Sequence, residues 1–136
     1  PPLSVDPAEA VARVSTLRAR IPKHVTLGIS GDAAAVHGLA AGCDGWYSVI
    51  GGLFPEVALR ITRAALSGGI ATAKALSAGL APLWALYDRF GGIRVMACAA
   101  ALMGLSGHGN LPRPLLGLEG DDRALVADVL AQLGLC

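Results

Sequence analysis

Two short segments of the chain have the residue types and spacing of ligand-binding junctions in α/β proteins. Residues 25–32 read Val-Thr-Leu-Gly-Ile-Ser-Gly-Asp, and residues 45–56 read Gly-Trp-Tyr-Ser-Val-Ile-Gly-Gly-Leu-Phe-Pro-Glu. Each pattern is typical of a buried strand that ends in glycine and small polar residues just before a helix begins. Substrates bind at such junctions because the strand ends are rigid and the next helix begins with free N–H groups. The sequence therefore predicts a ligand site where these two strands end.

The polar residues of these junctions each have a catalytic and a structural interpretation. Asp32 could act as an acid or base, but an aspartate directly before a helix more often caps it, and we favour the cap. Ser30 could bind a ligand or hydrogen-bond to its own turn. The pair Gly51-Gly52 could cradle a phosphate, as loops after late barrel strands do, or could simply form a tight strand-to-helix turn.

Metal and redox chemistry have little support in the sequence. The histidines and cysteines share no ligand-like spacing, and the odd number of cysteines without a Cys-x-x-Cys motif favours reduced thiols in the cytosol. These residues are His24, His37, His108, Cys43, Cys98 and Cys136. We expect two cysteines to be small core residues and Cys136 to be a free thiol in the C-terminal tail. No metal is expected.

The elements that position the junctions follow from hydrophobic spacing and capping residues. Asp6-Pro7 begins a helix whose apolar residues, Val11, Val14 and Leu17 among them, recur at helical spacing. Strands are predicted at 24–29 and 46–50, and helices at 32–41 and from residue 55 to about 66. From residue 70 onward we expect only helices: one long helix bent at Pro82, an apolar helix at 93–105, and a last helix after the 106–120 loop.

A strand–helix–strand order at this spacing predicts a parallel pair with a right-handed crossover. Two parallel strands cannot form a stable sheet by themselves, so we expect the remaining strands to come from sequence upstream of this chain. The composition agrees with missing strands, because 54% of the residues are hydrophobic and 15% are charged, against roughly 25% charged in typical soluble domains.

An apolar run at 95–105 is too short to span a membrane. The net charge of +1 and the lack of a basic stripe argue against nucleic acid as a partner.

At these same residues the chain resembles the dihydrodipicolinate synthase / N-acetylneuraminate lyase family of Schiff-base aldolases. The similarity extends from about residue 25 to residue 118, and its pieces occur in the family's order: 27–32, 41–45, 47–49, 55–56, 67–69 and 111–115. The resemblance implies an α/β fold comprising the last two βα units of a TIM (β/α)8 barrel plus a C-terminal helical extension. The barrel units would occupy residues 1–68 and the three-helix extension residues 69–136, with the N-terminal part of the barrel outside this chain.

The resemblance also implies a chemistry. Family members use a lysine at the end of the sixth strand to form an imine with pyruvate or another 2-oxo acid, so that an adjacent carbon–carbon bond can form or break. That lysine and a proton-shuttling tyrosine would lie upstream of Pro1, and neither Lys23 nor Lys74 fits the imine position. The expected substrate-binding residues are Gly31, which leaves room for substrate, Tyr47, through its backbone carbonyl, and Ser48.

The favoured hypothesis is therefore the C-terminal part of a lyase or aldolase that acts on pyruvate, or a similar 2-oxo acid, and an aldehyde. We expect it to join the N-terminal half of the same barrel, to form a homo-tetramer or dimer, and to be cytoplasmic, with no nucleic acid and no membrane as partner. Two alternatives stay open at this point. One is a phosphate-binding barrel enzyme of another class, and the other is a non-catalytic barrel relative that acts as a binding or scaffold subunit.

Overall fold

A computed structural model of the chain describes residues 6–136 and shows a mostly helical α/β protein with a small parallel sheet. A 3₁₀ turn follows each strand, at Asp32–Ala34 and Ile50–Gly52. Within the described residues the helices are α1 (Pro7–Arg20), α2 (Ala35–Ala40), α3 (Pro55–Leu66), α4 (Ile70–Ala78), α5 (Ala81–Phe90), α6 (Gly92–Leu102) and α7 (Gly120–Gln132), and the strands are β1 (Gly28–Ser30) and β2 (Gly45–Tyr47).

The chain divides into two compact units, one ending at Ala78 and the other beginning at Gly79. The first unit contains the sheet and helices α1–α4, with α3 packed on both α2 and α4. The second unit contains the three helices α5, α6 and α7, whose buried residues include Leu83, Val95 and Leu130. Helix α4, which the sequence groups with the C-terminal helices, thus belongs to the unit that carries the sheet.

Helix α1 begins as the sequence predicts. The Asp6 carboxylate accepts hydrogen bonds from the backbone N–H groups of Ala8 at 2.8 Å and Glu9 at 3.4 Å, and Pro7 is the first helical residue. The predicted apolar face is only partly buried, because Val14 lies in the core whereas Val11 and Leu17 are exposed. Part of this apolar face therefore has no covering partner among the described residues.

The two strands run parallel, with Gly28 opposite Gly45, Ile29 opposite Trp46 and Ser30 opposite Tyr47. They are shorter than the predicted 24–29 and 46–50. Residues 22–25 instead form a turn closed by the Val25 N–H and the Pro22 carbonyl. At the other strand, pairing ends at Tyr47, and a 3₁₀ turn follows at Ile50–Gly52. The N–H groups of Val49 and Ile50 donate to Asp32 instead of to a neighbouring strand.

The predicted single helix bent at Pro82 is wrong. The structure has two helices, α4 and α5, because the chain leaves the helical path at Gly79-Leu80. The Leu80 carbonyl accepts hydrogen bonds from the N–H groups of Leu83 and Trp84 and so opens a new first turn. Pro82 lies within that first turn, where a missing N–H costs nothing. The proline therefore begins a helix instead of kinking one.

Candidate substrate site

The three predicted substrate-binding residues lie together at the carboxyl ends of the two strands. Ser30 is paired with Tyr47, so Gly31 and Ser48 are the residues that leave the sheet side by side. The parallel register therefore brings Gly31, Tyr47 and Ser48 to one edge of the sheet. In α/β folds this edge is where substrates bind.

Gly31 owes its identity to its backbone conformation. Its φ is +101°, in the region that residues with a side chain rarely adopt. A β-carbon placed on Gly31 would have no neighbouring atom within 4 Å, so the space in front of it is open. Among the described residues the space in front of Gly31 is therefore open, and the next residue, Asp32, has its carboxylate directed toward β2 and the loop beyond it.

Asp32 is neither a helix cap nor a free acid. Its carboxylate makes no cap hydrogen bond to the 3₁₀ turn that it begins, so the predicted capping role is wrong. Instead, one oxygen accepts the indole N–H of Trp46 at 3.1 Å and the backbone N–H of Val49 at 3.0 Å, and the other accepts the N–H of Ile50 at 2.7 Å. The residue is 5% exposed. A buried carboxylate with three N–H donors is a structural link between two distant segments.

The loop that follows β2 uses its N–H groups internally. Gly51 donates to the Ser48 hydroxyl at 2.9 Å, Gly52 donates to the Val49 carbonyl at 3.2 Å, and both Leu53 and Phe54 donate to the Ile50 carbonyl. The Val49 and Ile50 amides donate to Asp32. A phosphate cradle needs backbone N–H groups aimed at the ligand. In this loop the amides of residues 49–54 all have protein acceptors, so the glycine pair forms a strand-to-helix turn.

The side chains of Tyr47 and Ser48 lie on different sides of the sheet. The Tyr47 ring lies across Gly28 of the neighbouring strand, so closely that a β-carbon on Gly28 would overlap it, and the tyrosine is 70% exposed. Ser48 instead lies with Trp46 beside α3, where its hydroxyl closes the turn through Gly51. The Tyr47 side chain is thus directed along the sheet toward Gly28, and its backbone remains at the strand end.

A groove of about 480 Å³ lies between the end of β2 and helix α3. Its wall is largely apolar, with the Ser48 and Thr62 hydroxyls as the polar side-chain groups. It is lined by Trp46, Ser48, Gly51, Gly52, Pro55, Ala58, Leu59 and Thr62. A smaller cavity of about 270 Å³ lies near the start of the two strands and includes Asp44 and Tyr47 in its wall.

Asp44 forms a second carboxylate link, at the opposite ends of the strands. It accepts the Leu27 N–H at 2.7 Å and pairs with the Arg18 guanidinium at 2.5 Å. The Leu27 hydrogen bond, with the Arg18 hydrogen bond next in importance, lowers the pKa of the Asp44 carboxyl. Arg18 also donates to the carbonyls of Val25 and Gly42, so this cluster joins α1 to the start of both strands.

Neither lysine lies at the strand ends that carry the candidate residues. Lys23 is exposed in the turn before β1, and Lys74 is exposed on α4. In the described part of the chain no group of three or more His, Cys, Asp or Glu residues could hold a metal ion. None of the helices at residues 6–136 is both long and apolar enough to cross a membrane.

Sequence reasoning missed the Asp32–Trp46 hydrogen bond and the Arg18–Asp44 pair. Both join residues far apart in sequence, 14 and 26 positions respectively. The available signal was weak: one aspartate two residues after β1 and another directly before β2. Local patterns predict the capping use of such a residue more readily than a long-range partner.

The mostly helical α/β fold with its small parallel sheet matches the C-terminal part of a TIM barrel. The sequence profile of the Dihydrodipicolinate synthetase family matches residues 6–133. The chain therefore belongs to the dihydrodipicolinate synthase family. No curated protein sequence matches it significantly.

Solved structures of family members are similar over nearly the whole chain. The dihydrodipicolinate synthase of Agrobacterium tumefaciens is 39% identical, with a TM-score of 0.88, over 97% of this chain and 44% of that one. The 4-hydroxy-tetrahydrodipicolinate synthase of Methylacidiphilum fumariolicum is 26% identical, with a TM-score of 0.80, over 92% of this chain and 41% of that one. The dihydrodipicolinate synthase of Thermotoga maritima shares the fold at a TM-score of 0.84. The chain thus spans less than half the length of these relatives.

Proposed function

We propose that this chain is the C-terminal part of a lyase or aldolase that forms a lysine Schiff base with pyruvate or a similar 2-oxo acid and makes or breaks a carbon–carbon bond. The observation that carries the proposal is the 39% identity to a dihydrodipicolinate synthase over 97% of this chain. We call the chain together with the N-terminal part of its barrel the complete enzyme.

In the proposed reaction a lysine amine from the N-terminal part attacks the ketone carbon of the oxo acid. Water leaves and an imine forms, and the imine then draws electrons from the neighbouring carbon so that an aldehyde can be added or released. A tyrosine from the N-terminal part moves the proton. This chemistry needs neither metal nor organic cofactor.

Within this chain the proposed substrate-binding residues are Gly31, Tyr47 and Ser48. The Tyr47 backbone carbonyl would face the bound oxo acid, and the open space before Gly31 would admit it. The Ser48 oxygen already accepts the Gly51 N–H, but its hydroxyl hydrogen is still available to donate to a ligand. The exposed Tyr47 ring would then fill the lower interior of the barrel over Gly28.

The N-terminal part of the barrel is the proposed partner of the sheet. In the described residues the sheet has two strands, so one edge of β1 and one edge of β2 have no strand beside them. The face that carries Ser30 and Tyr47 is exposed. Open edges and a bare face are what further parallel strands would cover. We propose residues 1–68 as the final barrel units and residues 69–136 as the helical extension, whose first helix, α4, packs on the barrel helix α3. We also propose a cytoplasmic homo-tetramer or dimer.

Borohydride trapping with pyruvate tests the proposal. The chain is co-expressed with the part of the Agrobacterium enzyme that precedes the matched region, and the complex is treated with pyruvate and borohydride. Hydride reduces the imine to a secondary amine, so the modified lysine gains the mass of pyruvate less one oxygen atom. We expect that adduct on the N-terminal partner.

The chain without its partner is the control and should show no adduct on Lys23 or Lys74, because both lie away from the strand ends. An adduct on either lysine in that control would contradict the proposal. So would a stable complex that traps no pyruvate at all.

The two alternative functions have no observation in their favour. A phosphate site at Gly51-Gly52 would need N–H groups that already have protein acceptors. A non-catalytic scaffold is distinguished by the residue that ends the sixth strand of the complete protein. Lysine there supports the enzyme, whereas any other residue supports the scaffold.

A further inference from the structure

The buried carboxylate of Asp32 joins the ends of both strands. It follows β1 by two residues, and its three donors are the Trp46 indole in β2 and the backbone N–H groups of Val49 and Ile50 in the loop beyond it. The two backbone donors, Val49 and Ile50, directly follow the proposed substrate residues Tyr47 and Ser48. This single side chain therefore contacts the backbone that leaves the candidate site.

A carboxylate suits the position of Asp32 because the groups around it are hydrogen-bond donors. Both of its oxygens accept, and neither can donate, so two backbone N–H groups and one indole N–H can converge on it. An asparagine amide has the same shape, but its NH₂ group can only donate, so it could not accept a hydrogen bond from the N–H groups that face it. Asp32 is buried, so water cannot take over the lost bonds.

The other amides of the loop bond within the loop, so Asp32 supplies its described hydrogen bonds to the segment that follows β1. Gly51 and Gly52 donate to Ser48 and Val49 within the loop. The Val49 and Ile50 amides donate instead to Asp32, in the segment that follows β1. Asp32 therefore contacts the two peptide planes nearest to Tyr47 and Ser48 that have an acceptor outside the loop.

We propose that Asp32 is a positioning residue for the oxo-acid pocket, fixing the backbone at Tyr47 and Ser48 through the Val49 and Ile50 amides and the Trp46 indole. This inference rests on the proposed function, because it assigns the fixed backbone to substrate binding. Misplacing a substrate contact by about 1 Å can cost on the order of 100-fold in rate. Asp32 itself need not touch the substrate.

The test compares Asp32→Asn with Asp44→Asn in the complete enzyme. Each variant removes a carboxylate that accepts a backbone N–H at a strand end, but at opposite ends of the same strands. We expect D32N to lower kcat/KM about 10- to 100-fold, mainly by raising KM for pyruvate. D44N should leave that KM within about twofold.

A spectroscopic measurement reports the hydrogen bond separately from activity. The indole N–H signal of Trp46, assigned by its loss in Trp46→Phe, should move and exchange faster in D32N but stay in place in D44N. If D32N does not fold, W46F supplies the milder variant, since it removes one of the three donors and keeps the ring. We expect W46F to raise KM for pyruvate by about two- to fivefold.

Four results would overturn the inference. If D32N leaves both the indole signal and KM unchanged, the carboxylate does not hold the loop. If the indole signal moves while KM stays constant, or if D44N raises KM equally, Asp32 is a structural residue and no more. If the unmodified complex traps no pyruvate, the proposed function fails too, and an altered indole signal then assigns Asp32 to stability alone.

Discussion

Ile29 of β1 packs directly on Gly38 of α2. A β-carbon on Gly38 would lie 2.7 Å from both Cβ and Cγ1 of Ile29, closer than such atoms approach in proteins. Both residues are buried, and Ile29 is held in the sheet by its pairing with Trp46. This contact sets how closely the helix approaches the strand that leads to the candidate site.

Replacing Gly38 by alanine should therefore destabilise the first unit. Alanine favours a helix by up to about 1 kcal/mol over glycine. Overpacking against a β-branched core residue costs about 1–3 kcal/mol. We expect the free energy of unfolding to fall by about 1 kcal/mol in G38A. Urea unfolding compared with the unmodified protein measures the change, and an unchanged or higher midpoint would contradict it.

Gly28→Ala is the matched substitution at the other close approach. The atoms that a new β-carbon would meet belong to the ring of Tyr47, which is 70% exposed and can swing away. We expect G28A to lower the free energy of unfolding by less than about 0.5 kcal/mol. The same preparation and denaturant series as for G38A give the comparison. A loss as large as that of G38A would show that the ring is held in place.

Much of the architecture follows from local pattern. Asp6-Pro7 and Pro55 mark helix starts that the structure confirms. The parallel pairing of two strands with a helix between them also follows, because a strand–helix–strand segment pairs its strands in parallel through a right-handed crossover. Patterning overestimates strand length, since residues such as Val25 have strand-forming side chains but no strand to pair with in the described part.

The sequence predicts where the candidate residues lie on the strands better than it predicts their hydrogen-bond partners. Gly31, Tyr47 and Ser48 do meet at one sheet edge, because they follow paired strand ends. The partners of Asp32 could not be inferred, since a capping bond is local and the real donors lie 14 to 18 residues away. The split between α4 and α5 was missed for a related reason: Pro82 has the same local signature in a kink and in a first turn.

The lowered pKa of the Asp44 carboxyl makes the free energy of unfolding depend on pH in the acid range. Its pKa is lowered by the Leu27 N–H bond and by Arg18, so the folded state binds its proton less tightly than the unfolded state. Its contribution is fully present above the unfolded pKa of about 3.9 and is lost as the pH falls through the lower folded value. Asp44→Asn should therefore flatten the acid side of the stability profile.

Urea midpoints between neutral pH and about pH 3 measure this effect. Asp122→Asn is the control, because Asp122 pairs with Arg89 at the surface of the second unit and has no backbone donor among its described hydrogen bonds. We expect D122N to follow the unmodified profile. Parallel curves for D44N and the unmodified protein would contradict the role assigned to Asp44.

The three thiols should differ in reactivity. Cys43 and Cys98 are buried, and burial raises the pKa of each thiol, outweighing the opposing effect of Arg18 on Cys43 and of Arg123 on Cys98. Cys136 is exposed. A thiol-specific disulfide reagent at mild alkaline pH should therefore modify Cys136 at least about tenfold faster than the other two. Mass spectrometry of the quenched time course identifies the order, and denaturant should equalise the three rates.

The loop between α6 and α7 is held by two side chains that can be tested by proteolysis. The Arg94 Nε–H donates to the Leu116 carbonyl at 2.8 Å, and the Asn110 amide donates to the Ala97 carbonyl at 2.9 Å and the Ser106 hydroxyl at 2.7 Å. Removing either should cost about 1 kcal/mol of local stability, so Arg94→Ala and Asn110→Ala should each speed cleavage in the loop by roughly fivefold.

Chymotrypsin suits this test because Leu115 and Leu116 are exposed, 41% and 71% respectively, in the loop itself. Arg89→Ala is the control, since the Arg89–Asp122 pair is exposed and such pairs contribute about 0–1 kcal/mol. Cleavage follows the population of the opened loop, provided that opening and closing are fast. If R89A accelerates cleavage as much as R94A does, the increase reflects loss of surface charge, and the two hydrogen-bonded side chains do not fasten the loop.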